Sequence, residues 1–65
     1  MIDYRDSIKD VCKEHDTTIS KEEIEEINDA LNALITDYVN NDGMDEESAD
    51  EIISENFWSY VREYI

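Results

Sequence analysis

The chain has no proline, one glycine and one cysteine, and from Glu22 to Val61 it has neither lysine nor arginine. A single thiol, Cys12, cannot close an internal disulfide. No segment reads as an apolar signal sequence, and none approaches the roughly eighteen apolar residues of a membrane span. A soluble protein of the cytoplasm is the expectation. One cysteine and one histidine are also too few to make a zinc site. The missing cations are the most informative absence, because the same forty residues carry thirteen carboxylates.

What is present sharpens that contrast. The 65 residues include 19 acidic and 5 basic side chains, for a formal net charge of −14. Arg5, Lys9, Lys13 and Lys21 lie in the first third, and Arg62 stands near the end. Self-repulsion of this size opposes compaction. Yet 40% of the residues are apolar and they recur with a regular period, so one small folded domain, residues 1–65, is expected. Membranes and nucleic acids are anionic and would repel this surface, which leaves basic proteins, metal cations or no specific partner, with a strongly basic protein the natural one.

The periodicity is helical throughout, with no strand pattern. Tyr4, Ile8, Val11 and Cys12 follow the i, i+4, i+7, i+8 rule, and Asp3 is placed to cap a first helix over about Asp3 to Glu14. Ser20 and Glu23 form an S-x-x-E capping box, with Ile19 and Ile24 as its hydrophobic staple. Behind it Ile24, Ile27, Leu31, Leu34, Ile35 and Tyr38 mark one stripe, predicting a second helix over about Lys21 to Val39. Asp45 can cap a third helix, with Met44 and Ala49 as its staple, and Ile52, Ile53, Phe57, Tyr60, Val61 and Tyr64 extend that stripe to the end. The expected architecture is all-α, a compact antiparallel three-helix bundle with short connections. Trp58 lies off the stripe and is expected to pack against the edge of the first helix.

Four carboxylates need no special role: Glu22, Glu23, Glu46 and Glu47 fall in the first turns of two helices, where they offset the positive end of the helix dipole. Glu25, Glu26, Asp29, Asp50, Glu51 and Glu55 lie beyond that reach, and of these only Glu25 has a lysine or arginine four residues away, Lys21. Glu22 with Glu26, and Glu47 with Glu51, place like charges at i and i+4, each costing a few tenths of a kcal/mol. An ordinary solvated face would mix both signs. Carboxylates three or four residues apart on a helix stand about 5–6 Å from one another at Cβ, comparable to successive phosphates along a nucleic-acid strand. A groove lined with lysine and arginine to hold phosphates would accept such rows. Glu22, Glu25, Glu26, Asp29, Glu47, Asp50, Glu51 and Glu55 are therefore the candidate partner-binding residues.

In size, charge and helical architecture the chain resembles the small acidic single-domain inhibitors made by bacteriophages, among them anti-CRISPR proteins that act as DNA mimics. The resemblance spans the whole chain and rests on no specific motif. It implies a monomeric inhibitor, without cofactor or catalytic activity, that blocks DNA binding by a basic nucleic-acid-binding protein. A CRISPR effector of the type I surveillance class is the favoured target.

Other chemistries fit less well. Asn40, Asp42, Gly43 and Glu46 suggest a calcium loop, but that register puts Tyr38 and Ala49 at its first and twelfth positions, where carboxylates are required. Cys12 and His15 could meet on one side of the first helix, but surrounding carboxylates disfavour a thiolate, and Cys12 lies on the apolar stripe. Asp6, Ser7 and Ile8 resemble the D-S-L prosthetic-group site of acyl carrier proteins, in which the serine follows a long first helix that has no counterpart here. Nuclease immunity proteins and antitoxins are a further alternative, sharing the decoy mechanism and differing in the partner.

Overall fold

Leu31 lies at 0% exposure near the middle of a 21-residue helix, and the rest of the chain is arranged around it. The computed structural model describes residues 1–65. Its helices are α1 (Arg5–Glu14), α2 (Lys21–Asn41), α3 (Glu46–Glu55) and α4 (Phe57–Val61), and a short 3-10 turn, Arg62–Tyr64, follows α4. There is no strand. Tyr4, Ile8 and Cys12 from the first segment, Ile27, Leu31 and Ile35 from α2, Ala49 and Ile53 from α3, and Val61 from α4 make one core. Helices α1 and α3 both pack on α2, and α4 returns to α1. The result is an all-α bundle in which each apolar stripe covers the others.

The start of α2 matches its sequence signal. Ser20 Oγ accepts from the Glu23 N–H at 3.1 Å, and Glu23 Oε1 accepts from the Ser20 N–H at 3.3 Å, completing the capping box. Ile19 and Ile24 are both packed against the core. The helix runs two residues past the expected end, through Asn40 and Asn41, and stops at Asp42 and Gly43, whose φ of +68° a glycine adopts without strain. At α3, Asp45 Oδ1 accepts from the Ser48 N–H at 2.7 Å.

Two further boundaries differ from the sequence expectation. Asp3 does not cap α1; its carboxylate instead accepts from the Arg5 N–H and from the Arg5 guanidinium at 2.9 and 3.0 Å, and α1 begins at Arg5. The cause lies in α2, which holds residues 2–4 outside the helix and so keeps it from starting earlier. The Ile2 and Tyr4 N–H groups donate to Asn32 Oδ1 and Asn28 Oδ1, both at 2.8 Å, and Asn32 Nδ2 donates to the Ile2 carbonyl at 2.7 Å.

The far end of α1 closes with Asp16 at φ +51°, the Asp16 N–H on the Lys13 carbonyl and the Thr17 N–H on the Cys12 carbonyl at 2.8 Å. This is the Schellman pattern, with aspartate where glycine is usual.

The third helix is not continuous. It breaks at Asn56 (φ −127°, ψ 39°) and restarts as α4. Asparagine offers the backbone local alternatives to a helix. The bend brings the Phe57 ring to 5.7 Å from that of Tyr4 and lays Trp58 on His15 at 4.1 Å, the two rings 5° from parallel. Trp58 thus packs on the end of α1, whereas Tyr64, expected on the core face, is 45% exposed because the chain has turned.

Candidate acidic interface

The eight candidate carboxylates divide into three groups by the helix face they occupy. Glu22, Glu26 and Asp29 are exposed on the outer side of α2 at i, i+4 and i+7, and Asp37 extends that row past the uncharged Ala33. Glu47, Glu51 and Glu55 are exposed on the outer side of α3 at i, i+4 and i+8. In both helices the fold turns these residues outward because the opposite stripe, Ile27–Leu31–Ile35 or Ala49–Ile53, is consumed by the core.

Glu25 and Asp50 belong to neither row. Glu25 borders an open hollow of about 480 Å³ between α1 and the start of α2, which is also lined by Arg5, Lys9, Lys21, Ile19 and Ile24. Three of the four basic residues of the first third collect here beside Asp6, so Glu25 faces cations across a mixed-charge surface. Asp50 is half-buried on the flank of α3. Its Oδ1 accepts the Tyr4 hydroxyl and, at 3.4 Å, the Ser54 hydroxyl. Asp50 therefore holds the first segment against α3, a role that the spacing of the acids did not reveal.

The molecule has one ion pair, Arg5 with Asp3, at 2.9 Å between two exposed side chains. None of the thirteen carboxylates between Glu22 and Val61 has a basic partner within 4 Å. The two rows are thus presented to solvent with their charge unopposed. Asp29 and Glu46 come to the edge of one shallow hollow together with Met1 and Thr36, where the N-terminal segment passes between α2 and α3.

The perturbed groups are structural. Hydrogen bonds from the Arg5 side chain and backbone hold the Asp3 carboxyl at about 2. The Ser48 backbone N–H, and then its side chain, lower the Asp45 carboxyl. Burial, followed by the hydrogen bond to Asp50, pushes the Tyr4 hydroxyl well up, and the Tyr60 hydroxyl is raised by its contact with Tyr38, the oxygens 3.4 Å apart. Burial pushes the Cys12 thiol up, with Glu23 adding to it, and the side chain is 1% exposed, so it is a core residue rather than a nucleophile. His15 is occupied by Trp58. No group of three or more His, Cys, Asp or Glu side chains is arranged to hold a metal ion. The residues of the supposed calcium loop form a helix end instead, with the Met44 N–H returning to the Tyr38 carbonyl at 3.2 Å. Ser7 is an exposed residue of α1.

Asn28 and Asn32 are the polar residues that sequence reasoning overlooked. They lie at i and i+4 on the flank of the α2 stripe, and Asn28 is only 8% exposed. Two amides so close to an apolar stripe were a legible sign that some backbone must dock there. No helix is long and apolar enough to cross a membrane. Comparison with protein-family models, with curated proteins and with solved structures finds no match to this chain.

Proposed function

We propose that the protein is an inhibitor of a nucleic-acid-binding protein and acts as a decoy, its carboxylate rows occupying the basic groove that would otherwise hold a phosphate backbone. The observation that carries this reading is that no cation pairs within 4 Å with any of the thirteen carboxylates from Glu22 to Val61, in a molecule whose one ion pair lies elsewhere. A protein using charge only for solubility gains nothing from keeping lysine and arginine out of the forty residues from Glu22 to Val61, and it bears the like-charge cost at i and i+4. A decoy needs that arrangement, because a paired carboxylate presents little field to a partner.

Dimensions support the same reading. The backbone measures 35 × 21 × 17 Å along its principal axes. Its length is close to one turn of duplex, about 34–36 Å. A net charge of 14 spread over 35 Å gives one charge per about 2.5 Å, against one per about 1.7 Å of duplex axis. The match is to a short duplex segment of reduced charge. The favoured target is the DNA-entry groove of a CRISPR surveillance complex of type I, and the mechanism is steric and electrostatic occupation with no bond made or broken.

The test is capture of partners from a bacterial lysate on the tagged protein, with elution by rising salt and competition by duplex DNA. Recovery of a basic nucleic-acid-binding complex, released by salt and displaced by DNA, is the expected result. Two variants locate the contact: Glu22, Glu26 and Asp29 changed together to Gln, Gln and Asn, and Glu47, Glu51 and Glu55 changed together to Gln. Both leave Asp50 and the core intact, so weakened capture reads the rows themselves. Capture by both variants at parental strength would refute the decoy.

A further inference from the structure

The only glycine of the chain follows an aspartate, and α2 ends on that pair. Asp42 is exposed, with φ −101° and ψ −3°. Gly43 is exposed at φ +68°, and no atom lies within 4 Å of the position where a Cβ would stand. The amides on either side are both committed, for the Asp42 and Met44 N–H groups each donate to the Tyr38 carbonyl at 3.2 Å. The Gly43 N–H between them has no acceptor in the protein.

A backbone nitrogen that follows an aspartate is an internal nucleophile, because its attack on the side-chain Cγ closes a five-membered ring. Folded proteins suppress the reaction by a side chain that shields the nitrogen or by a hydrogen bond that ties the amide down. At Gly43 neither is present, no atom stands within 4 Å of where its Cβ would be, and the rotation about the Asp42 ψ that ring closure needs is opposed only by the Met44 hydrogen bond to the Tyr38 carbonyl. The other aspartates are protected. Asp6, Asp10, Asp29, Asp37 and Asp50 lie inside helices. Asp3, Asp16 and Asp45 lie outside, but the Tyr4 N–H is held by Asn28, the Thr17 N–H by the Cys12 carbonyl, and the Asp45 carboxylate is itself held by the Ser48 N–H at 2.7 Å as the cap of α3, with the bulkier Glu46 following it.

We propose that Asp42–Gly43 is a site of spontaneous backbone isomerisation in the folded protein. The Gly43 nitrogen adds to Cγ of the protonated Asp42 carboxyl. The N–H proton and the carboxyl hydroxyl leave as water, giving a succinimide. Water then adds to one of the two ring carbonyls. Addition at Cγ breaks the new bond and restores aspartate. Addition at the Asp42 backbone carbonyl carbon breaks the original peptide bond and leaves the chain running through Cβ and Cγ, as isoaspartate with a free α-carboxylate. One water leaves and one returns, so product and parent have the same mass. The methylene inserted into the main chain lies between the two amides that share the Tyr38 carbonyl, so the Met44 bond to it is lost and the start of α3 shifts relative to α2.

The test is prolonged incubation of the folded, full-length protein at neutral pH and physiological temperature. It is followed by proteolysis and electron-transfer fragmentation, which distinguishes isoaspartate from aspartate, and by enzymatic methylation of isoaspartyl carboxyls. Isoaspartate is expected to accumulate at position 42 ahead of every other aspartate, with a trace of a form lighter by one water. Asp42→Glu keeps the charge but cannot close a five-membered ring, and should lose the methyl-accepting signal. The proposal is overturned if position 42 stays aspartate in the folded protein while the urea-unfolded chain isomerises there, or if Asp42→Glu accepts methyl groups as the parent does.

Discussion

The Tyr4 hydroxyl donates to Asp50 Oδ1 across 46 positions of chain, and this contact joins the N-terminal segment to α3. Tyr4 is 4% exposed, with its ring beside Phe57 and its backbone N–H held by Asn28. Three elements therefore meet at one side chain. Tyr4→Phe keeps the ring and removes the donor, and should cost about 1.5–3 kcal/mol in urea unfolding, as expected for a hydrogen bond to a charged acceptor. Asp50→Asn keeps an acceptor oxygen and should cost less. Because the folded state raises the Tyr4 hydroxyl pKa, its contribution is complete below the ordinary tyrosine value near 10.0 and is lost as pH rises beyond it. Stability of the parent should fall above that pH more steeply than that of Tyr4→Phe.

The asparagine pair on α2 makes a second prediction. Replacing Asn28 by Ala leaves the buried Tyr4 N–H without an acceptor and should destabilise by about 1–3 kcal/mol. Asn32→Ala acts at a half-buried site and should cost less, although it releases both polar groups of Ile2. Amide hydrogen exchange provides a direct reading: the Ile2 and Tyr4 N–H groups, outside any helix, should be protected in the parent and exchange freely in the Asn28→Ala, Asn32→Ala double variant. Fast exchange at both positions in the parent would mean that the segment is not docked.

The helices were legible in the sequence because their signals are local. Ser20 with Glu23, Asp45 with Ser48, and the Ile27–Leu31–Ile35 stripe each depend on residues within a turn or two. What the sequence concealed is non-local. Asp3 carries the signature of a helix cap, and only the docking of Ile2 and Tyr4 on asparagines 24 to 30 positions away moves the start of α1 to Arg5. Similarly, the period of the last stripe runs unbroken through Asn56, and the aromatic contacts with Tyr4 and His15 accompany the bend there. Of the candidate carboxylates, spacing alone placed six on the outer rows; Asp50 carries the same charge at a similar spacing, and its engagement depends on a tyrosine near the other end of the chain.

Asp16 occupies a left-handed position that glycine would occupy without strain, and it places a negative charge beside the negative end of α1. Both effects are removed by Asp16→Gly, which should stabilise by about 0.5–1 kcal/mol after the greater freedom of glycine in the unfolded chain is subtracted. Asp16→Val, β-branched at the same φ, should destabilise. Thermal unfolding of the three proteins gives the order, and a glycine variant less stable than the parent would mean that the aspartate makes a compensating contact.

Acid should act through Asp45 and Asp3. Both carboxyls are depressed in the fold, so their contributions are present above the unfolded value near 3.8 and are lost as pH falls through the folded one, about 2 for Asp3. Asp45→Asn retains a capping oxygen without the charge. The stability of the parent relative to Asp45→Asn should be at its full value well above the ordinary aspartate value of 3.8 and shrink as pH falls below it, measured by urea unfolding followed by helical circular dichroism. A difference independent of pH would show that the carboxylate charge adds nothing to the cap.

Salt tests the charge itself, and it separates stability from binding. With 19 carboxylates, 5 cations and one exposed ion pair, screening removes far more repulsion than attraction. The melting temperature should therefore rise with sodium chloride, and rise less in the Glu22/Glu26/Asp29 and Glu47/Glu51/Glu55 neutralised variants, which begin with fewer like-charge neighbours at i and i+4. Over the same range the complex with a basic partner should weaken steeply, because its attraction is screened as the fold's repulsion is. Opposite slopes for folding and for binding are the signature of rows kept unpaired for a partner. A melting temperature that fell with salt would place the dominant electrostatic term within the fold, and the carboxylates would then need internal partners that Arg5 and Asp3 alone do not supply.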